Sequence, residues 1–346
     1  MKHFAIIILT CCISVVHAQE KSLFAKIDVD TLIFRKMSIR ALYHEPNKIW
    51  YAADNGRFGF VDIAANNIYE KRITFDSLKP EFRSMAGTKD FVYVLSITNP
   101  ALLYQIDKKT NKSKLVYSER HPKVFYDSMK FWNEKEGIAL GDPTDDCFSV
   151  LITRDGGTNW QKLPCDSFPK LSDGEAAFAA SNTNIVIQGD TCWMVSGGKK
   201  ARIFYSPDKG RNWHVHDTPI TQGHQMSGIY TADFYDENIG YVAGGNYDEP
   251  ENNIGNKALT MDGGKTWQLV SDDAGFGYAS CIQYVPGSNG KELACVGATG
   301  LWYSADGGIS WEKWRDDKSL YVIVFADEKT AYAAGKDKLI RIRFKK

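Results

Sequence analysis

Apolar and polar residues alternate along most of the chain in short runs, separated by Gly, Asn, Asp and Pro. This is the pattern of half-buried strands joined by tight turns. The first clear set runs over 39–43, 49–53, 58–62 and 69–73. Comparable sets follow, and the chain divides into units at about 38–74, 82–118, 124–163, 174–218, 225–270, 276–314 and 319–346. The last unit holds only three strands, at 321–326, 330–334 and 339–344. A spare strand, Thr-Leu-Ile-Phe-Arg-Lys at 31–36, precedes the first unit and belongs to no hairpin. One strand is missing at one end and one is left over at the other, so 31–36 is expected to complete the last sheet.

Four of the turns share one motif. The segments are Thr153-Arg-Asp155-Gly-Gly157-Thr-Asn159-Trp160, Ser206-Pro-Asp208-Lys-Gly210-Arg-Asn212-Trp213, Thr260-Met-Asp262-Gly-Gly264-Lys-Thr266-Trp267 and Ser304-Ala-Asp306-Gly-Gly308-Ile-Ser310-Trp311. Their tryptophans stand 53, 54 and 44 residues apart. A carboxylate that can accept amide N–H groups of its own turn, followed by glycine, closes a hairpin. The tryptophan then starts the outgoing strand and fills the space between neighbouring sheets. Asp107-Lys-Lys-Thr-Asn111 is a decayed copy. Repetition at this period predicts one all-β domain over 19–346: a seven-bladed β-propeller of four-stranded antiparallel blades, closed by the N-terminal strand. Closure removes free sheet edges.

The motif resembles the Asp-box, or BNR repeat, of sialidase-like propellers. In that family the box aspartates are structural, so the resemblance gives Asp155, Asp208, Asp262 and Asp306 no catalytic part. Further phrases carry a second resemblance. They include Phe125-Tyr-Asp127-Ser-Met129-Lys-Phe131-Trp132, Gly137-Ile-Ala-Leu-Gly141-Asp142-Pro143, Gly174-Glu175-Ala-Ala-Phe178-Ala-Ala-Ser181 and Gly244-Gly245-Asn-Tyr247. These are similar to a bacterial group, often labelled "oxidoreductase", related to the photosystem II stability and assembly factors. The plant and cyanobacterial relatives bind a partner polypeptide. Nothing in these residues supplies a redox centre, and the Arg-Ile-Pro signature of sialidases is missing: Arg35-Lys-Met and Arg40-Ala-Leu do not match it.

Composition narrows the class. Lys plus Arg and Asp plus Glu are 42 each, a balance that offers no basic field for nucleic acid or anionic lipid. The start reads as an export signal over 1–18: Lys2 and His3, an apolar run at 4–16, then small residues before a cleavage site after Ala18. A run of 13 residues is short for a membrane span. A periplasmic or secreted protein without an integral membrane segment is the expectation. Five cysteines follow the signal. Cys147 and Cys165 flank the Asp155 hairpin, and Cys281 and Cys295 flank the turn at 286–290; each pair is compatible with a bridge or with free thiols.

Common catalytic signatures are absent: no G-x-S-x-G, H-E-x-x-H, P-loop or G-x-G-x-x-G unit occurs. No cofactor and no metal are expected. Asp248, Glu249 and Glu251 lack a calcium-loop spacing. In a ring of this kind the first strand of each unit lines the channel. Read in order, the first-strand starts are Arg40, Arg83, Asp127, Glu175, Ser227, Tyr278 and Tyr321. Loops on the same face add Asp142, Arg202 and, on the long 244–256 loop, Tyr247. Arg40, Arg83, Asp127, Asp142, Glu175, Arg202, Tyr247 and Tyr278 are therefore the expected ligand-binding set at the channel mouth. The leading expectation is a non-catalytic binding or assembly propeller with a protein or glycan ligand. The alternative is a glycan-directed hydrolase whose carboxylates come from Asp127, Asp142 and Glu175, at a spacing sequence does not fix.

Overall fold

The computed structural model describes Phe24 and residues 26–345. The export signal and its cleavage site, with Cys11 and Cys12, lie outside the described residues. The described chain is almost entirely strand and turn, with a single short 3-10 turn at Cys165–Ser167. The strands that begin the units stand side by side round a central channel, and Leu320–Asp327 returns to lie against Lys26–Glu45. The core is divided among the gaps between neighbouring sheets. One such layer joins Trp50, Phe58, Phe82, Val94 and Leu102, and another joins Leu140, Phe148, Met194 and Phe204.

The hydrogen-bonded sheets number six: four of four strands and two of six. The expectation of seven four-stranded blades is thereby corrected to a propeller of six sheets. Continuity of two long strands is one reason. Lys26–Glu45 runs 20 residues without a break, pairing with Thr330–Lys345 over its first part and with Lys48–Ala53 over its second. Units read as first and last thus share one sheet. The sequence holds no Gly or Pro between 26 and 45 that would mark the division. The second six-stranded sheet arises because Glu175–Ala176 and Gly197–Gly198 attach to Ser227–Phe234.

The pairing of the ends is antiparallel, with Val29 opposite Ile342 and Thr31 opposite Ile340. Phe24 packs its ring 5.4 Å from Phe344, and Asp30 accepts from Arg341 and Arg343 at 2.7 and 2.6 Å.

The four box turns are built alike. In each, the carboxylate accepts the amide N–H four residues on, at 2.8–3.0 Å: Asn159 to Asp155, Asn212 to Asp208, Thr266 to Asp262 and Ser310 to Asp306. The side chain of the same residue closes on the second carboxylate oxygen at 2.6–2.7 Å. Burial opposes the charge of Asp262, but these bonds win and hold its carboxyl down to about 2. Neighbouring sheets reach into three of the boxes: Tyr93 Oη donates to Gly156 O (2.5 Å), Trp193 Nε1 to Gly263 O (2.8 Å) and Tyr241 Oη to Gly308 O (3.1 Å). The boxes therefore fasten sheet to sheet as well as closing hairpins.

Cys147 and Cys165 form a disulfide with Cα atoms 5.5 Å apart; Cys192, Cys281 and Cys295 are buried free thiols.

Candidate functional site

Six of the channel-lining strands carry one extra residue opposite their partner. The pairing skips Arg40, Arg83, Asp127, Tyr230, Ser280 and Tyr321. A bulge of this kind leaves one residue outside the ladder and turns its side chain away from the ordinary alternation. Repetition at the same depth in successive strands forms a ring of redirected side chains at one mouth. Arg40, Arg83, Asp127 and Tyr321 were expected as strand starts. Tyr230 and Ser280 take the places assigned to Ser227 and Tyr278.

The fourth unit departs from the pattern. Ala176 pairs with Gly197, and the strand resumes only at Ile185, opposite Met194. The intervening segment, 177–184, leaves the sheet and crosses the channel, where five strands hold it. Asn182 accepts from the Met129 amide (2.9 Å) and donates to Met85 O (2.7 Å). Ser181 Oγ donates to Ser280 O (2.6 Å), and Thr183 Oγ1 lies 2.7 Å from Thr231 Oγ1. Arg40 Nη1 reaches Ala180 O at 3.1 Å. The sequence reading placed the first strand of the 174–218 unit from Glu175 onward, with no departure from the sheet. The available signal was Asn182-Thr183-Asn184, polar residues where a channel strand is otherwise apolar.

Above this plug lies a cavity of about 370 Å³, whose walls include Arg40, Arg83, Asp142, Tyr247 and Tyr278, with Phe178 and Tyr230. Five of the eight expected residues therefore converge. Arg40 lies with its guanidinium carbon 4.1 Å from the Tyr321 ring centre, and its Nε has no partner. Burial, and then the charge of Arg83, lower its pKa from the usual arginine value. Arg83 pairs with Glu81 at 2.7 Å. Phe178 stacks on Tyr230 at 3.9 Å, and Tyr278 stands edge-on to both Tyr230 and Tyr247. Tyr247 is 52% exposed and forms the outer lip.

Asp142 accepts the Ala177 amide at 2.9 Å, and burial pushes its carboxyl up to about 6. Asp127 lies behind the wall with no exposed surface and no partner for either oxygen. Burial, joined by the Asp142 charge, raises its carboxyl well above the usual range, and Arg83 offsets this only in part. Glu175 and Arg202 do not face the cavity as free groups. They bind each other at 2.5 Å, and Glu175 also accepts from Ser196 Oγ (2.6 Å) and the Ser172 amide (2.9 Å). The Glu175 side chain has no exposed surface. The hydrolase arrangement needs two carboxyls facing a substrate. Only Asp142 of the three lines the cavity.

The 244–256 loop is fixed from below by Lys257, which is 1% exposed and donates to Asn256 Oδ1 (2.5 Å) and Phe276 O (3.1 Å). Of its acidic residues, Glu251 pairs with Lys318 at 2.9 Å and Glu249 accepts from Asn252 at 3.1 Å. Among the described residues no group of three or more His, Cys, Asp or Glu side chains gathers for a metal, and no helix is long and apolar enough to cross a membrane.

The BNR/Asp-box repeat family matches residues 302–313, the fourth box. No curated protein of similar sequence was found. Among solved structures, the chain is similar to one described as YCF48 bound to D1 peptide, at 14% identity and a TM-score of 0.66, covering 93% of this chain and 98% of that one. It is also similar to YCF48 from Cyanidioschyzon merolae (11%, TM-score 0.63, 92% and 98%) and to U3-55K (12%, TM-score 0.65, 92% and 98%). At these identities the likeness is one of fold.

Proposed function

We propose, from the premise that the chain is a BNR-type Asp-box β-propeller, that it is a non-catalytic factor capturing a protein partner at this channel mouth. The observation that carries the reading is the convergence of Arg40 and Arg83 with an aromatic wall over a sealed floor. Two guanidiniums, one with an unpartnered Nε, favour an acidic side chain or a terminal carboxylate, which arginine binds through parallel N–H donors. Phe178, Tyr247 and Tyr278 offer rigid apolar area beside them. One of the similar structures, YCF48, holds a bound peptide, which agrees with a polypeptide ligand. The Cys147–Cys165 bridge supports a protein working outside the reducing cytosol, in keeping with the export signal read at 1–18.

Panning a displayed peptide library on the full chain tests the reading. Captured sequences should be enriched in Asp, Glu or a free carboxyl end, and Arg83→Ala and Arg40→Ala should each weaken capture roughly tenfold or more, since a charged hydrogen bond is lost. Equal capture by wild type and both folded variants would sink it.

A further inference from the structure

The channel has a second mouth, at the far ends of the same strands. A cavity of about 400 Å³ opens there, its walls including Lys130, Phe131, Ile187, Gln188, Asp233 and Gln283. The plug separates the two mouths: residues 177–180 face the first, while Thr183 faces the second. The second cavity is therefore a site of its own and does not rest on the function proposed above.

Its charges are held apart. The Lys130 ammonium makes no hydrogen bond or ion pair with any described residue, and it lies beyond 4.0 Å from the Asp233 carboxylate, although each feels the other's field. One Asp233 oxygen accepts the Tyr284 amide at 2.6 Å. Gln188 and Gln283 each give one amide N–H, to Phe234 O (2.6 Å) and Ile282 O (3.0 Å), which leaves their carbonyl oxygens as acceptors. Burial lowers the Lys130 ammonium and pushes the Asp233 carboxyl up to about 7. Opposite charges that serve structure alone gain by meeting; two that are desolvated yet unpaired in one cavity bear their cost without the return.

We propose that this mouth binds a small zwitterion of the α-amino-acid class, its carboxylate on Lys130 and its ammonium on Asp233. A simple anion would be opposed by Asp233, and a metal cation by Lys130. A free sugar would leave both charges unanswered. The volume suits a ligand of this size, and Phe131 and Ile187 supply an apolar wall for a side chain.

Calorimetric titration of the full chain with glycine, L-glutamine and L-leucine, at about pH 7.5 and up to about 10 mM, tests this. At least one should bind with one site per chain. Lys130→Met and Asp233→Asn should each weaken that binding roughly tenfold or more, while Arg83→Ala, at the other mouth, leaves it unchanged. Acetate and methylamine, which carry one charge each, should bind far more weakly. No binding by wild type to any of the three amino acids overturns the proposal, as does affinity unaltered in both folded variants. The wild-type titration alone decides if a variant fails to fold.

Discussion

Asp127, Asp142 and Asp233 stand in or beside the channel without an ion pair to any described residue, and burial raises all three carboxyls. A carboxyl raised on folding holds its proton longer in the folded state. The stability it lends is full below the unfolded value of 3.8 and is lost as pH rises through the folded value. For Asp142 and Asp233 that window runs from 3.8 to about 6 and about 7. The box aspartates act in the opposite sense and lower down: Asp262, held down to about 2, lends stability above 3.8 that is lost as pH falls through its folded value. Urea unfolding between about pH 4.5 and pH 7.5 should therefore show stability falling with pH, and Asp142→Asn and Asp233→Asn should each flatten the curve, by something of the order of 1–3 kcal/mol. A curve that rises over this range in wild type would contradict the burial argument. The same residues show what could be read beforehand. The placing of Arg83 and Asp127 near the channel mouth was legible because each stands at the start of a strand after a turn, whereas Arg40 lies within a strand that runs unbroken from Lys26. Their bulged geometry was not legible, since a bulge is defined by the register against the partner strand, which only the fold supplies. The pairing of Glu175 with Arg202 was equally hidden: both were placed at the mouth, and only three-dimensional contact shows that they satisfy each other.

At the level of the hairpin, chemistry is local and the sequence states it almost in full. Asp, Gly and Trp lie within eight residues of each other in every box, so the carboxylate-to-amide bonds follow from spacing. What spacing does not state is the grip that three of the boxes receive from the sheet before them. Gly308 has a φ of 87°, and a β-carbon there would lie 2.1 Å from a Tyr241 ring atom. Gly308→Ala should thus cost more than about 2 kcal/mol, through strain and displaced packing together, and thermal melts will read it. Tyr93→Phe removes the donor to Gly156 O and the acceptor of the Gln105 amide, and should cost about 1–2 kcal/mol. If Gly308→Ala melts with wild type, the Tyr241 contact is looser than described. The channel plug is the converse case. Its Ala-Ala-Phe-Ala-Ala-Ser run passes for a strand by pattern, and its true course is set by hydrogen bonds to strands dozens of residues away.

For the molecule as a whole, the sheet count was misread because Lys26–Glu45 passes without a breaker residue from the sheet of the last unit into that of the first, and because Glu175–Ala176 and Gly197–Gly198 join the sheet of the fifth. The joining of the ends could be read, because a strand was missing at one terminus and spare at the other. That joint carries a clear expectation. Removing the chain up to residue 37 strips the partner from 338–345 and leaves an apolar, unpaired edge. Such a truncation should associate with itself and lose cooperative melting, as sedimentation and calorimetry would show. A truncated chain that stays monomeric and melts as sharply as wild type would mean that the joint is dispensable.

The same joint sets a clock. Residues 26–38 must wait for 336–345, about 300 positions on, before either finds its neighbour. A ring assembled this way is finished only after residues 336–345 are available. It can therefore be threaded through a narrow passage as an open chain and completed on the far side.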